Sequence, residues 1–254
     1  MMSSRRQVAV IILACILWEF VPRVFAIEVY VLPPLSRVLG ELASTPGLFA
    51  RHLATTAAEA ATGALLAVLA GAGLALSMAR YPGLGSTLNP FIVAANTVPV
   101  VAIAPLVTIW FGHGFWSKAI VAAFLSFFPL VATYYKNLVE IDAGYRSLFV
   151  ALGASNSQLF WRYSVPNASS SLLVGAKISA TLAVVGAIVA EFMGSNAGLG
   201  FGMLQAVYAL NTARLFAFVI LSVLTGLAFF GIGQALEFHF GRKIYGASVT
   251  RVGR

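Results

Sequence analysis

"VALGASNSQLFWRYSVPN", residues 150–167, interrupts a chain dominated elsewhere by Ala, Val, Leu, Ile and Phe. Here the sequence turns polar, places Gly153 after a short apolar run, and closes on Pro166. What this break means depends on its surroundings. Sixty per cent of the 254 residues are hydrophobic and 9% are charged, where a soluble domain carries about a quarter charged residues. The composition is that of an integral membrane protein. Apolar runs of full bilayer length point to helices, and the alternation of lipid-facing barrel strands is missing.

Six spans are predicted, at 8–27, 56–78, 88–111, 119–138, 171–194 and 215–236. The first also has the shape of a secretory signal, with Arg5 and Arg6 before "VAVIILACIL" and a small-residue site at "VFA". We read it as a retained helix with Glu19, Pro22 and Arg23 near its outer end, where long side chains reach the interface. Placing the N-terminus inside puts Arg5, Arg6, Arg80, Lys136, Arg146, Arg162, Arg242, Lys243, Arg251 and Arg254 on the cytoplasmic side. Only Arg37, Arg51, Lys118 and Arg214 then fall outside. That asymmetry predicts both termini in the cytoplasm, and the opening stretch with them. The net charge of +8 is thus a record of topology. No basic, aromatic-interleaved face of the kind that binds nucleic acid is present.

The organisation expected is an N-terminal helix with its outer connection (1–55), a five-helix core (56–238) containing a cytoplasmic loop (139–170), and a cytoplasmic tail (239–254). Within "YRSLFVALG" (145–153), Leu148, Phe149 and Leu152 share one face of a short helix. Gly153 suits the left-handed position that ends it. Ser155 can cap a second short helix, in which Leu159, Phe160 and Tyr163 form another apolar stripe. Pro166 is expected to stop that helix and turn the chain into the fifth span. An elbow of this kind can anchor on the lipid surface or dock a protein. Its exterior of Ser155, Asn156, Gln158 and Arg162 lacks the Lys-rich face of a membrane-surface helix and favours a protein.

Ionisable groups inside spans cost about 2.5–3.5 kcal/mol each at a helix centre, so each needs an account. Partial exposure is expected for Glu59, and snorkelling for Lys177. For Glu191, a place on a translocation path and a structural hydrogen bond are both open. The same two readings apply to Asn96 and Thr97, which lie with Pro99 and Pro105 in "AANTVPVVAIAPL". Small residues in "GALLAVLAGAGLALSMA" suit close helix packing. "GLGFG" (198–202) lacks the strand and spacing of a nucleotide fingerprint and reads as a tight outer turn or re-entry. No G-x-x-x-x-G-K-[ST] loop occurs, so this chain has no means of cradling ATP phosphates in that way. Cys15 stands alone, His52, His113 and His239 are scattered, and no metal or nucleophile constellation emerges.

The spacing of Gly153 and Pro166 resembles the cytoplasmic signature of permease subunits in binding-protein-dependent ATP-binding cassette importers. "LPPLSRVLGEL", "VPVVAIAPLVTIWFG" and "GAIVAEFMGSNAGLGFGM" extend the likeness over nearly the whole chain. They are similar to the branch importing nitrate, sulfonates, taurine, and thiamine-precursor pyrimidines or related heterocycles. One departure is clear: Ser147, Leu148 and Phe149 occupy the positions of the family's Glu-Ala-Ala.

The resemblance implies an all-α type I importer fold with a coupling elbow, a homodimer, two ATPase subunits below and a soluble substrate-binding protein above. ATP and Mg would be held by the ATPase, with no cofactor on this chain. By position, Gly153, Ala154, Ser155, Gln158, Leu159, Arg162 and Pro166 become the ATPase-coupling residues. Asn96, Thr97 and Glu191 are the candidates for the path. The expected setting is the bacterial cytoplasmic (inner) membrane. The solute expected is a small aromatic or heterocyclic compound such as a pyrimidine precursor, with a sulfonate or other small anion as the alternative. An ion-coupled secondary transporter would need coupling-ion ligands or inverted repeats with broken helices, and neither is evident.

Overall fold

In the computed structural model, residues 4–245 are described and contain helices and connections only. A first helix, α1 (Ser4–Val24), is followed by the short α2 (Leu35–Ser44) and the long α3 (Pro46–Arg80). Next come α4 (Pro82–Ala95), α5 (Val100–Phe111) and α6 (Phe115–Val139). Then α7 (Ala143–Ala151) leads to α8 (Asn156–Leu159), a π turn (Phe160–Ser164) and α9 (Val165–Phe192). The chain ends in α10 (Leu199–Tyr208) and α11 (Thr212–Tyr245). The apolar helices α1, α3, α6, α9 and α11 are each long enough to cross a bilayer. A sixth crossing requires α4 and α5 together, and these are bent by 100° at their junction.

The core is the packing of α3, α6 and α9 on one another, and small residues set its spacing. A Cβ added to Gly63 of α3 would lie 2.5 Å from Ala122 Cβ, and one added to Gly186 of α9 would lie 2.8 Å from Ala122 Cα. Ala122 is therefore gripped from both sides, at a separation that only Gly–Ala contacts permit. Lipid tails provide no hydrophobic drive for helices to associate, so this close van der Waals contact does much of the work. A buried hydrogen bond from Ser179 Oγ to the Ser126 carbonyl (2.8 Å) joins α9 to α6 in the same core. The small residues of the second span thus pack as their composition predicts.

Around that core, α11 covers α9, and Lys177 Nζ meets Glu237 Oε2 at 2.5 Å. The expected snorkelling of Lys177 is replaced by this ion pair. At the far end of α1, Glu19 pairs with Arg23 (2.5 Å) and accepts from the Ser36 amide (2.8 Å). Trp18 Nε1 donates to the Pro33 carbonyl (3.1 Å). Glu19 and Arg23 thus fasten α1 to the start of α2.

Three boundaries differ from the sequence expectation. The division at 55 falls inside α3, which starts at Pro46, because proline is favoured in a first helical turn. The tail placed at 239–254 begins as helix, since α11 continues to Tyr245; residues 246–254 lie outside the described part. The third span is two helices, because the Asn96–Pro99 segment breaks it. Pro99 has no amide to donate and disfavours helical backbone in the residue before it.

The packing predicts opposite signs for two like substitutions. Gly63→Ala should lower the thermal midpoint of the purified protein although alanine is the better helix former by about 1 kcal/mol. Gly73→Ala, whose added Cβ meets nothing within 4 Å, should leave the midpoint unchanged or raise it.

Candidate functional site

The elbow is built from local chemistry. Asp142 caps α7, its Oδ1 accepting from the amides of Gly144 (2.8 Å) and Tyr145 (3.4 Å). Gly153 then takes φ +68°, in the left-handed region that a Cβ makes costly. The amides of Gly153 and Ala154 close back on the carbonyls of Val150 (3.0 Å) and Phe149 (2.9 Å). Ser155 and Gln158 form a capping box: the Ser155 amide donates to Gln158 Oε1 (2.8 Å) and the Gln158 amide to Ser155 Oγ (3.3 Å). Tyr163 packs on Tyr145 and Phe149, with ring centroids 4.8 and 6.0 Å away. That aromatic contact braces α7 against the helix that follows.

Pro166 does not end a helix. Helical backbone runs without interruption from Asn156 to Phe192, 37 residues. The π turn explains how: the Val165 amide bonds to the Phe160 carbonyl, a wider ring that accommodates a proline one residue later. The elbow is consequently one bend, at Gly153, and its second limb is the start of a membrane helix.

The seven expected coupling residues divide by role. Gly153 and Arg162 are exposed, as is Pro166, while Ala154 is half-buried. Ser155 and Gln158 spend their side chains on each other, so they shape the helix start. Leu159 is buried among the ends of the bundle and does not face outward. The outward surface belongs instead to apolar residues: Leu148, Val150, Leu152 and Trp161 are all more than half exposed. Val150 and Trp161 were not singled out in the sequence, although both lie inside the stretch that decided the fold.

At the opposite end of the bundle lies a buried polar knot. Glu191, near the end of α9, is fully buried. Its Oε1 accepts from Thr56 Oγ1 (2.6 Å) and its Oε2 from the Gly200 amide (2.6 Å). Thr56 Oγ1 in turn accepts from the Leu199 amide (2.7 Å), and His52 Nδ1 from the Gly198 amide (3.0 Å). The first amides of α10 thus face α3 and the Glu191 carboxylate, an arrangement suited to a helix N-terminus. Gly198 has φ +107°, and a Cβ there would collide with the Glu191 carboxyl. "GLGFG" is therefore the turn that lets backbone amides reach a buried carboxylate.

Lys118 completes the knot. Fully buried, it donates to the carbonyls of His113 (2.6 Å) and Gly194 (2.7 Å), and His113 Nδ1 also lies 3.2 Å from the Gly194 carbonyl. The lysine lies in electrostatic reach of Glu59 and Glu191. Glu59 is buried too, beside Glu191, which overturns the partial exposure expected for it. Lys118 was legible only as one of the outer charges, and neither Thr56 nor His52 carried any local signal of a role. A long-range partner is invisible to local pattern.

Of the three path candidates, Asn96 and Thr97 are exposed, at the α4–α5 break, where Thr97 Oγ1 donates to the Ala94 carbonyl (2.7 Å). Glu191 is not with them. The length of α5 separates it from that break, and both its oxygens are engaged in the interior.

Thr56→Val removes the hydrogen bonds of Thr56 Oγ1 to Glu191 and to the Leu199 amide while keeping the shape of the side chain. It should destabilise the protein by about 1–3 kcal/mol and speed hydrogen exchange at the Leu199 and Gly200 amides. Thr56→Ser should restore most of both.

Comparison with known proteins places this geometry. Residues 63–242 match the family model of the binding-protein-dependent transport system inner membrane component. The chain is 34% identical to a formylaminopyrimidine transport permease protein of Halalkalibacterium halodurans, over 87% of this chain and 89% of that one. It is 31% identical to a putative aliphatic sulfonates transport permease protein of Bacillus subtilis, over 83% and 77%. The fold resembles a chain of the inward-facing MetNI methionine ABC transporter, at TM-score 0.59 and 20% identity over 76% of this chain and 97% of that one. The chain belongs to the family of binding-protein-dependent transport system inner membrane components, the membrane permease subunits of ATP-binding cassette importers of small solutes.

Proposed function

We propose that two copies of this chain form the translocation path of the importer, and that the elbow at Gly153 seats in an ATPase subunit beneath each copy. The observation that carries this reading is the continuity of the helix from the elbow to Phe192. A push delivered at Ser155 reaches the opposite side of the bilayer through a single rigid element, about 55 Å long at 1.5 Å per residue. The exposed apolar surface of Leu148, Val150, Leu152 and Trp161 suits a protein groove, since patches of this kind mark interaction sites. It also offers a physical answer to the missing Glu of the family signature: docking here rests on apolar contact where that Glu would supply a charged one.

Asn96 and Thr97, exposed beside Phe91 and Val101 at the α4–α5 break, are the polar groups we assign to the path. The face they lie on is left open in a single copy, as a path lined by two copies requires. ATP and Mg are bound by the ATPase, and a soluble binding protein delivers solute at the end that carries the Glu191 knot. We assign the start of α1 and the end of α11 to the ATPase side, in keeping with the bias of basic residues toward that side.

For the solute, the formylaminopyrimidine permease relative supports a small heterocycle such as a pyrimidine precursor. The sulfonate relative supports the second reading. Titrating the cognate binding protein with a formylaminopyrimidine and with an alkanesulfonate separates them. The heterocycle should saturate it at the lower concentration; preference for the sulfonate would reverse the assignment.

Gly153→Val should strain the bend by about 1–2 kcal/mol and displace the elbow from its seat. In reconstituted complexes, solute uptake and the ATPase activity stimulated by loaded binding protein should each fall about tenfold. Gly153→Asn, which tolerates this backbone, should keep most of both. Equal activity of the valine variant would remove the elbow from the coupling route.

A further inference from the structure

Beneath the elbow, at the ends of α3 and α6, lies a cavity of about 460 Å³. Its wall carries Arg80 and Arg146, from two elements distant in sequence, and its described lining contains no carboxylate. Among the described residues neither arginine makes an ion pair. Arg80 instead lies with its guanidinium 5.6 Å from the Tyr81 ring centroid. Ser164, at the end of the π turn, is also in the wall; it is 2% exposed, and its Oγ has no hydrogen-bond partner. A buried hydroxyl without a partner is unfavourable, and a ligand oxygen reaching this wall would satisfy it. The N-terminus of α4 opens on the same space, with Pro82 and Ser86 in the lining and no side chain capping its first turn.

Two cations, an uncapped helix N-terminus and a hydroxyl donor, with no opposing carboxylate, are the complement of a tetrahedral oxyanion. We propose that this cavity binds a phosphate group between Arg80 and Arg146, wedged between the elbow and the membrane helices. The phosphate can come from an anionic phospholipid headgroup, which basic pockets between membrane helices are suited to hold, or from a soluble phosphorylated solute. Either source would brace the hinge of the elbow. The inference does not depend on the elbow being the coupling element, and binding is read without transport.

The test uses the permease–ATPase complex in nanodiscs of phosphatidylglycerol or of phosphatidylcholine, followed by native mass spectrometry of retained lipid. A parallel titration with inorganic phosphate reads the fluorescence of Trp161, with the other tryptophans replaced by Phe. Preferential retention of phosphatidylglycerol assigns the site to lipid. Saturation by phosphate that also displaces the lipid assigns it to a soluble ligand. In either case Arg80→Gln with Arg146→Gln should weaken binding at least about tenfold, and Ser164→Ala about fivefold. Should the double variant fail to assemble, Arg146→Gln alone, at an exposed position, carries the same expectation. Equal retention of both lipids with no response to phosphate would overturn the proposal. So would unchanged binding in the variants, or loss of the ATPase subunit from them with binding intact, which would make the arginines protein-docking contacts.

Discussion

One helix joins the elbow at one end of this molecule to the buried polar knot at the other. It starts at the capping box of Ser155 and Gln158 and reaches Glu191 without a break. The π turn at Phe160–Ser164 keeps it whole, absorbing Pro166 where a regular α-helix would kink. The close contact of Gly63 and Gly186 with Ala122 then clamps that helix to α3 and α6, so it moves with the core or not at all. Elbow, core and knot are in this sense parts of one packed unit.

The knot shows how the far end is fixed. Burying a carboxylate and an ammonium away from water costs several kcal/mol per ion unless they are paired and hydrogen-bonded. Here Glu191 is satisfied by Thr56 and Gly200, and Lys118 by two carbonyls, each bond joining different elements. The ions accordingly tie the α5–α6 connection, the α9–α10 turn and α3 into one rigid end. Such a polar cluster favours a unique arrangement over raw stability, because any slip of α10 along α3 would strand a buried charge.

Much of this was legible in residue order. Composition and span length settled the class, and the positions of Gly153 and Ser155 located the bend and the cap, because left-handed backbone and N-capping are local requirements. The small residues of the second span announced close packing for the same reason. Partners across the bundle were not legible. Glu59 looked half-exposed, Lys118 looked like a loop charge, and Lys177 looked like a snorkelling end, since nothing near them in sequence shows that Glu191, Gly194 and Glu237 lie opposite. Pro166 misled in another way: a proline normally stops a helix, and only the preceding π turn, which no residue pattern specifies, lets this one stay. The α4–α5 break was half visible, with Asn96, Thr97 and Pro99 noted within 88–111 but read as part of one span.

The helix from the elbow to the knot is proposed to act as a rigid lever. Distance measurements on the complex read this out, after Cys15→Ser, with spin labels at Asn156→Cys and Met193→Cys of one copy for the intrachain distance and at Met193→Cys of both copies for the distance between them. Rigid transmission predicts an intrachain separation of about 55 Å that stays constant between nucleotide-free and ATP-bound states, while the distance between the Met193 positions of the two copies changes. An intrachain distance that changes with nucleotide, with the outer separation fixed, would show a helix that flexes and transmits nothing.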